Sequence, residues 1–310
     1  MRKQPCPRST LWPGLCAAIA RGLLVWLMCA SNWVFAEGVL IVTDSRVAQY
    51  RDAVSKAIEV LPQAPVLDVA QPDVAEQLKA RKPTVALTVG QKALASTQAA
   101  VPETVIVYCL VLGASAPTSP NATGFRLEVS PADQLAFFRQ VHPRLKRIAV
   151  LYQTGNLSSY VAEARRAAQS QGIELQVRAV VDAKDVRSAL SELLSGAEAL
   201  WLLPDPQLIT AEMFSFLLVS TLERKIALFG FFESFTRAGA LASVSPDYGA
   251  TGQKAAQLAQ SLAQKPAAAR FPLPPPQNSP GAQTINQKTA SRLDLELSLD
   301  VLNKAHKVIR

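Results

Sequence analysis

Apolar and polar positions alternate in blocks along this chain from Val39 onward. Short apolar runs rich in β-branched residues are followed by stretches in which apolar residues recur at helical spacing. Continuously apolar strands are typical of a parallel sheet covered on both faces, and the intervening helices supply the cover. The pattern therefore predicts an α/β fold with parallel sheets.

The first series of predicted elements ends near residue 112. We expect strands at Val39–Thr43, Val66–Val69, Thr84–Val89 and Val105–Leu112. We expect helices at Val47–Val60, Asp73–Arg81 and Gln91–Ala99. The stretch Gly113–Pro120 is rich in Ser, Thr, Pro and Ala, which is typical of a loop.

The alternation begins again after Gly124–Pro131, which indicates a second lobe. We expect strands at Ile148–Tyr152, Leu175–Val181, Ala199–Leu203 and Ile226–Phe229. We expect helices at Ser158–Gln171, Ala183–Leu194 and Thr210–Arg224.

The segment from Gly239 to Leu262 predicts a strand, a bend and an amphipathic helix. Ala240–Val244 is apolar, and Ser245-Pro246 favours extended backbone because proline restricts the residue before it. Asp247 can then accept from the free N–H groups of the helix start. Small residues on one side of this helix predict close packing on a sheet: Gly249, Gly252, Ala256 and Ala259.

The last part of the chain is expected to complete both lobes. Pro266–Pro280 holds six prolines and predicts an extended surface connection. Ile285-Asn286 begins a final return, with helices at Gln287–Arg292 and Leu299–Ile309.

Three crossover segments are therefore expected to join two lobes. Residues 37–126 with 247–280 would form the first lobe, and residues 127–246 with 281–310 the second. Ligands of such sheets bind beyond the carboxyl ends of the strands, and two facing lobes can close on a ligand by hinge motion.

Composition favours a folded core and argues against nucleic-acid binding. Apolar residues make up 49% of the chain and charged residues 18%. The net charge is +8, but the first 36 residues hold four basic residues and no acidic one, so the remainder carries only +4. A charge so small and scattered does not favour a nucleic-acid partner.

The first 36 residues resemble an export signal. A basic leader precedes the apolar run Gly22–Ala30, and Val34–Ala36 then fits a cleavage site. We expect a cleaved signal and a periplasmic protein. The alternative is an uncleaved anchor, but Ser31-Asn32 interrupts the apolar run before it could span a bilayer comfortably. Met28 before Cys29 is too large for a lipidation site.

Few residues suit catalysis, so we expect no enzyme, no metal and no cofactor. His142 and His306 are the two histidines, and they lie far apart in the sequence. Once the leader is removed, Cys109 is the one remaining cysteine, and its apolar strand predicts a buried, inert thiol. The chain contains none of the common phosphate-loop, zinc-protease or serine-hydrolase motifs.

Candidate ligand contacts in the first lobe lie near the ends of its strands. Asp44 and Ser45 follow the first strand and could bind a ligand or cap a helix. Gly90 and Gln91 follow the third strand and would allow close approach of a ligand to a helix start. Tyr108 lies within the fourth strand and is either a contact or part of the core.

Candidate contacts in the second lobe follow the same logic. Tyr152, Asn156 and Ser158 come after its first strand, and the tyrosine could stack on a flat ligand. Asp205 could meet an ammonium group or cap a turn. Phe231, with its neighbours Phe232 and Glu233, could line an apolar pocket. Asp247 is a hinge cap or a ligand contact.

Several blocks of this sequence resemble one protein family. The blocks, in order, are Asn121–Gly124, Arg147–Tyr152, Ala199–Asp205, Gly239–Leu262 and Ile285–Ala290. They are similar to those of the ABC-transporter substrate-binding family that includes tryptophan- and tyrosine-type binders. The chain departs from the family at Leu110–Ala114, where an Asp-Pro is usual.

The resemblance implies a type I periplasmic binding protein, with two Rossmann-like lobes and three crossover segments. It further implies a monomeric solute-binding protein that delivers a small ligand, such as an amino acid, to an ABC permease in the inner membrane. The alternative is a binding-protein-like sensor or interaction module that partners a membrane signalling or envelope protein. An exported enzyme is the third hypothesis.

Overall fold

Two mostly parallel sheets flanked by helices form the described part of the chain. The structure is a computed structural model that describes residues 38–113, 116–153, 157–181, 185–205 and 207–310. The predicted export signal lies outside these residues. No helix in the described ranges is long and apolar enough to cross a membrane.

The first sheet has six parallel strands in the order β11-β5-β4-β3-β1-β2. They are β1 (Val39–Thr43), β2 (Val66–Asp68), β3 (Val85–Val89), β4 (Val105–Val111), β5 (Ala122–Val129) and β11 (Gln277–Ser279). Its helices are α1 (Tyr50–Val60), α2 (Val74–Arg81), α3 (Gln91–Ala100) and α9 (Tyr248–Gln264). Every residue of β1, β3 and β4 is buried, as continuous apolar strands predict.

The second sheet has seven strands in the order β13-β12-β10-β9-β8-β6-β7. They are β6 (Arg147–Gln153), β7 (Glu174–Val180), β8 (Ala199–Leu202), β9 (Ala227–Gly230), β10 (Ala242–Pro246), β12 (Gly281–Asn286) and β13 (Lys307–Ile309). Its helices are α4 (Pro131–Val141), α5 (Ser158–Ser170), α6 (Val186–Leu193), α7 (Ala211–Glu223), α8 (Glu233–Arg237), α10 (Gln287–Arg292) and α11 (Leu299–Lys304). The β10–β12 pair is antiparallel, and the other pairs are parallel.

Aromatic side chains fill one side of the second sheet. Phe138 from α4 stacks on Phe229 from β9 with ring centroids 4.0 Å apart. The ring of Trp201 from β8 meets Phe138 edge to face at 5.8 Å. Offset-stacked and edge-to-face pairs are the favoured aromatic geometries, so this cluster fixes α4 against the sheet.

The small residues of α9 pack against helix α1 as well as against the first sheet. Gly252 lies against the backbone of Ala53 in α1, and Ala53 is fully buried. Ala256 and Ala259 are also fully buried and belong to the core of the first sheet. The predicted close packing on the sheet is present. The contact between α9 and α1 also needs a small residue, at Gly252.

Some predicted elements differ from the observed ones. The expected helix Leu299–Ile309 is wrong at its end, because α11 stops at Lys304 and β13 pairs with β12. The β-branched Val308 and Ile309 favour a strand once a sheet edge is available. The proline-rich Pro266–Pro280 holds a short 3₁₀ turn and β11 as well as extended backbone.

The chain passes between the sheets at three places, and the crossings are joined to one another. They connect β5 to α4, β10 to α9 and β11 to β12. The Asp247 backbone N–H donates to the Pro280 carbonyl at 2.9 Å. Ser279 Oγ donates to the Arg126 carbonyl at 2.6 Å. These hydrogen bonds join the crossing segments to one another, and the same segments are the candidate hinges between the lobes.

Candidate ligand cleft

A cavity of about 320 Å³ lies where the crossings meet the ends of the strands. One wall comes from the first sheet and the segment after β4, through Leu112, Leu127, Glu128 and Val129. The other wall comes from the second sheet and its helices, through Gln134, Tyr160, Pro204, Ile209, Phe231, Phe232, Phe235, Val244 and Pro246. Both lobes therefore contribute to one concave, mainly apolar site.

Three phenylalanines after β9 form the aromatic part of the cavity. The Phe231 ring centroid lies 4.7 Å from that of Phe232 and 4.8 Å from that of Phe235. Gly230 makes this possible, because a methyl group there would lie 2.8 Å from Phe235 Cβ. The cluster offers ring faces and edges to an apolar or aromatic ligand.

Two lining residues of the cavity, Gln134 and Tyr160, belong to a hydrogen-bonded group. Gln134 Nε2 donates to the Tyr160 hydroxyl at 2.6 Å and to the Val129 carbonyl at 3.0 Å. The Tyr160 hydroxyl donates to the same carbonyl at 3.0 Å, and Trp201 Nε1 donates to Gln134 Oε1 at 3.3 Å. Burial raises the pKa of Tyr160 well above its usual range, so its hydroxyl stays neutral. The group is satisfied internally and shapes the cavity.

Glu128 provides a carboxylate on the apolar wall. Both of its oxygens accept from the Gly113 backbone N–H, at 2.8 and 2.9 Å. A carboxylate has about four acceptor positions, so acceptor capacity remains for a ligand. Glu128 therefore provides a carboxylate in the cavity that the phenylalanine cluster also lines.

A second, more polar cavity of about 500 Å³ adjoins the first. Phe232 and Pro246 line both. Glu233, expected in the apolar pocket, lines this polar cavity and accepts from Arg237 and from Lys307, the latter at 2.7 Å. The hydrogen bond from Lys307 is the main cause of the lowered pKa of Glu233.

Asp44 and Ser45 are engaged within their own loop. Arg46 holds the Asp44 carboxylate through two side-chain hydrogen bonds of 2.7 Å, which lower its pKa to about 2. The Ser45 hydroxyl donates to Asp68. Both residues lie outside the lining of the apolar cavity, and their contact with a ligand stays a prediction.

Gly90 has a structural role that is independent of any ligand. Its φ of +88° is in the region that favours glycine. The Tyr50 ring lies over it so closely that any side chain would overlap the ring. Gln91, the first residue of α3, is exposed.

Three further residues that were predicted to contact a ligand, Tyr108, Tyr152 and Ser158, lie within strands or at the start of a helix. Tyr108 is fully buried and packs in the core of the first sheet. Tyr152 is half-buried and packs against the core of the second sheet. Ser158 begins α5, and Asn156 lies outside the described residues.

The two remaining aspartates accept from backbone groups. Asp205 is buried and accepts from the Gln153 N–H at 2.7 Å and the Leu208 N–H at 3.2 Å, which joins the end of β6 to the turn after β8. Asp247 caps α9 by accepting from the Ala250 N–H at 2.8 Å. These geometries match the turn-cap and hinge-cap alternatives, and a ligand role for either aspartate stays a prediction.

Among the predicted residues that the structure describes, Phe231 and its predicted neighbour Phe232 line the apolar cavity. Glu128 and Gln134 were not predicted as lining residues because β5 and α4 were not predicted. Tyr160 lies in the predicted helix α5 and was not predicted because the candidates were chosen among polar residues directly after strands. The signal that could have found Glu128 is the alternation of Phe125, Leu127 and Val129 with polar residues.

No group of three metal-ligating side chains occurs in the described ranges. The Cys109 thiol is fully buried, and burial raises its pKa to about 12. A thiol in this state is not a nucleophile at neutral pH.

Two α/β lobes, three crossings and a cleft between them define the type I periplasmic binding protein fold. The family model described as ABC transporter substrate binding protein matches residues 69–309. The chain belongs to this family.

Solved structures agree with the fold. A domain in complex with L-Trp from Streptococcus pneumonia is 18% identical, with a TM-score of 0.58, over 87% of this chain and 99% of that chain. A ligand-free, open substrate-binding protein with adhesive properties from Clostridium difficile is 17% identical, with a TM-score of 0.70, over 88% and 98% of the two chains. A conserved domain protein from Vibrio cholerae is 19% identical, with a TM-score of 0.56, over 87% and 98%. No curated protein matches the chain.

Proposed function

We propose that the chain is an exported solute-binding protein of an ABC importer, which closes its cleft on a small, largely apolar ligand such as an amino acid. The observation that carries this proposal is the apolar cavity whose walls come from both lobes. Membership of the substrate-binding family supports delivery to a permease.

The size and lining of the cavity support the class of ligand. A volume of about 320 Å³ is at the small end of the range for ligand sites, which suits a single amino acid. Phe231, Phe232 and Phe235 would contact the apolar body of the ligand, and Glu128 its positive charge. The Streptococcus pneumonia domain was solved with L-Trp, which is a reason to include aromatic amino acids among the test ligands.

The mechanism follows from the division of the cavity between two lobes. A ligand held by both walls contacts more protein when the lobes are closed, so it stabilises the closed state by the difference in affinity. Crossings such as Val129–Pro131 are short enough to act as hinges. Binding of this kind needs no covalent step, and the permease would recognise the closed form.

The first experiment is a ligand screen on the purified exported chain. Thermal shift with the twenty L-amino acids and small metabolites would be followed by calorimetry. A ligand at 100 times its Kd stabilises a protein by about 2.7 kcal/mol, which raises Tm by roughly 5–10 °C at this chain length. No stabilisation across the panel would overturn the proposal.

Uptake tests the importer role separately. Cells that lack this chain are expected to lose high-affinity uptake of the ligand found in the screen, and N-terminal sequencing of the exported protein is expected to begin at Glu37. Binding without any effect on uptake would favour the sensor hypothesis over the importer.

A further inference from the structure

Arg126 and Glu128 lie side by side on β5 without forming an ion pair. They are two positions apart, so they project from the same face of the strand. A methyl group on Gly113 would lie 3.2 Å from Arg126 Cδ and 3.3 Å from Glu128 Oε1, which places both side chains around one point. No ion pair of 4.0 Å or less joins Arg126 to an acid in the described ranges.

Arg126 has a buried donor that no described residue accepts. Its Nε is shielded from solvent and has no hydrogen-bond partner within the described ranges. A buried donor on a charged group is costly to leave unpaired, and native proteins satisfy nearly all such groups. We therefore expect the Arg126 Nε–H group to donate to an acceptor outside the described residues, such as a bound ligand.

Tyr108 gives a second, independent observation on the neighbouring strand. Its side chain is fully buried, and its hydroxyl also lacks a partner among the described residues. Burial raises the pKa of Tyr108, and the charges of Arg126 and Glu128 make smaller contributions of opposite direction. Gly124 pairs with Tyr108 in the β4–β5 register and adds no side chain beside it.

The other acids near strand ends are less suited to an ammonium group. The Asp44 carboxylate is held by Arg46 through both oxygens. The Asp205 carboxylate accepts from two backbone N–H groups, one on each oxygen. Glu128 differs because one backbone N–H is its described partner and it lines the cavity.

We propose that Arg126 and Glu128 together recognise a zwitterion, with the ligand carboxylate at the Arg126 guanidinium and the ligand ammonium at the Glu128 carboxylate. The apolar side chain of the ligand then lies among Phe231, Phe232 and Phe235. This inference rests on the proposed function and narrows the ligand to a free α-amino acid. It assigns the charge recognition to β5, on the first lobe.

Ligand analogues test the inference on the wild-type protein. The probes are L-phenylalanine, L-tryptophan and L-leucine, each compared with its amide, which lacks the carboxylate, and its N-acetyl form, which lacks the ammonium. Hydrogen bonds to charged groups contribute enough that removal of either charge is expected to weaken binding about 10- to 100-fold in calorimetry.

Variants assign each charge to its residue. Arg126→Gln is expected to weaken binding of the free amino acid about 10- to 100-fold and to abolish the difference between amino acid and amide. Glu128→Gln is expected to abolish the difference between amino acid and N-acetyl form. The matched controls are Arg144→Gln and Glu76→Gln, both exposed, which should bind as wild type does.

Folding is checked by far-UV circular dichroism, and Arg126→Lys supplies a second variant that keeps the charge. We expect this variant to retain a preference for the acid over the amide at lower affinity. Equal affinity of the wild type for acids, amides and N-acetyl forms would overturn the inference while leaving solute binding intact. Loss of binding to the whole screen would instead overturn the proposed function, and the inference with it.

Discussion

Gly252 and Gly249 lie three residues apart in α9 and are expected to respond to alanine in opposite ways. A methyl group on Gly252 would overlap the carbonyl oxygen of Ala53 in α1 and lie 2.6 Å from its carbonyl carbon. A methyl group on Gly249 would meet Lys56 Cγ at 3.3 Å. The first neighbour is buried backbone, whereas the second belongs to an exposed, flexible side chain.

The magnitudes follow from these contacts. Gly252→Ala must push two packed helices apart, and overpacking of a core costs about 1–3 kcal/mol. At this chain length each kcal/mol lowers Tm by about 2–4 °C, so a decrease of roughly 2–12 °C is expected. Gly249→Ala removes the conformational cost of glycine in a helix, which stabilises by up to about 1 kcal/mol, or a few degrees.

Calorimetric or circular-dichroism melts of the two variants and the wild type provide the assay. Urea unfolding with an unchanged m-value would show that the change lies in native-state stability. A Gly252→Ala protein as stable as wild type would refute the helix–helix packing. So would equal losses in both variants, because the two positions would then share one environment.

Three further outcomes test the site. Asp205→Ala leaves two backbone N–H groups unpaired and should cost about 1–3 kcal/mol, seen as a lower Tm; an unchanged Tm with lost ligand binding would instead support the ammonium role. Phe231→Ala should lower the affinity for the ligand found in the screen about 10-fold, as measured by calorimetry, whereas Phe271→Ala, which removes an exposed ring, should leave this affinity unchanged. The lowered pKa of Asp44, about 2 beside Arg46, stabilises the folded state above the pKa of the unfolded carboxyl, and this stabilisation is lost as pH falls towards 2. Asp44→Asn should therefore lower Tm at pH 7 and have a progressively smaller effect at pH 4 and pH 3; the same effect at all three values would contradict the pairing.

The strands were predictable wherever burial was continuous. The residues of β3 and β4 are mostly apolar and all of them are buried, and the continuous apolar runs are visible in the sequence. The strand β5 was not predicted, because Gly124 and the half-buried Arg126 and Glu128 interrupt its apolar pattern. Gly124 is there since a side chain would overlap the Tyr108 backbone.

The site was less predictable than the fold for a related reason. Residues such as Asp205 follow a strand and could face either a ligand or the local backbone, and sequence alone does not distinguish these orientations. The structure shows backbone N–H groups as its partners. Conversely, Glu128 lines the cavity one residue before the end of β5, and it was missed because that strand was not predicted.

The central claim is that one small zwitterion binds between the lobes, and a crystal structure of the protein with the tightest ligand from the screen tests it most directly. We expect the ligand to lie between Phe231 and Leu127, with its ammonium within hydrogen-bond distance of Glu128 and its carboxylate at Arg126. A ligand bound on the outer surface of one lobe, with the cavity between the lobes empty, would contradict it.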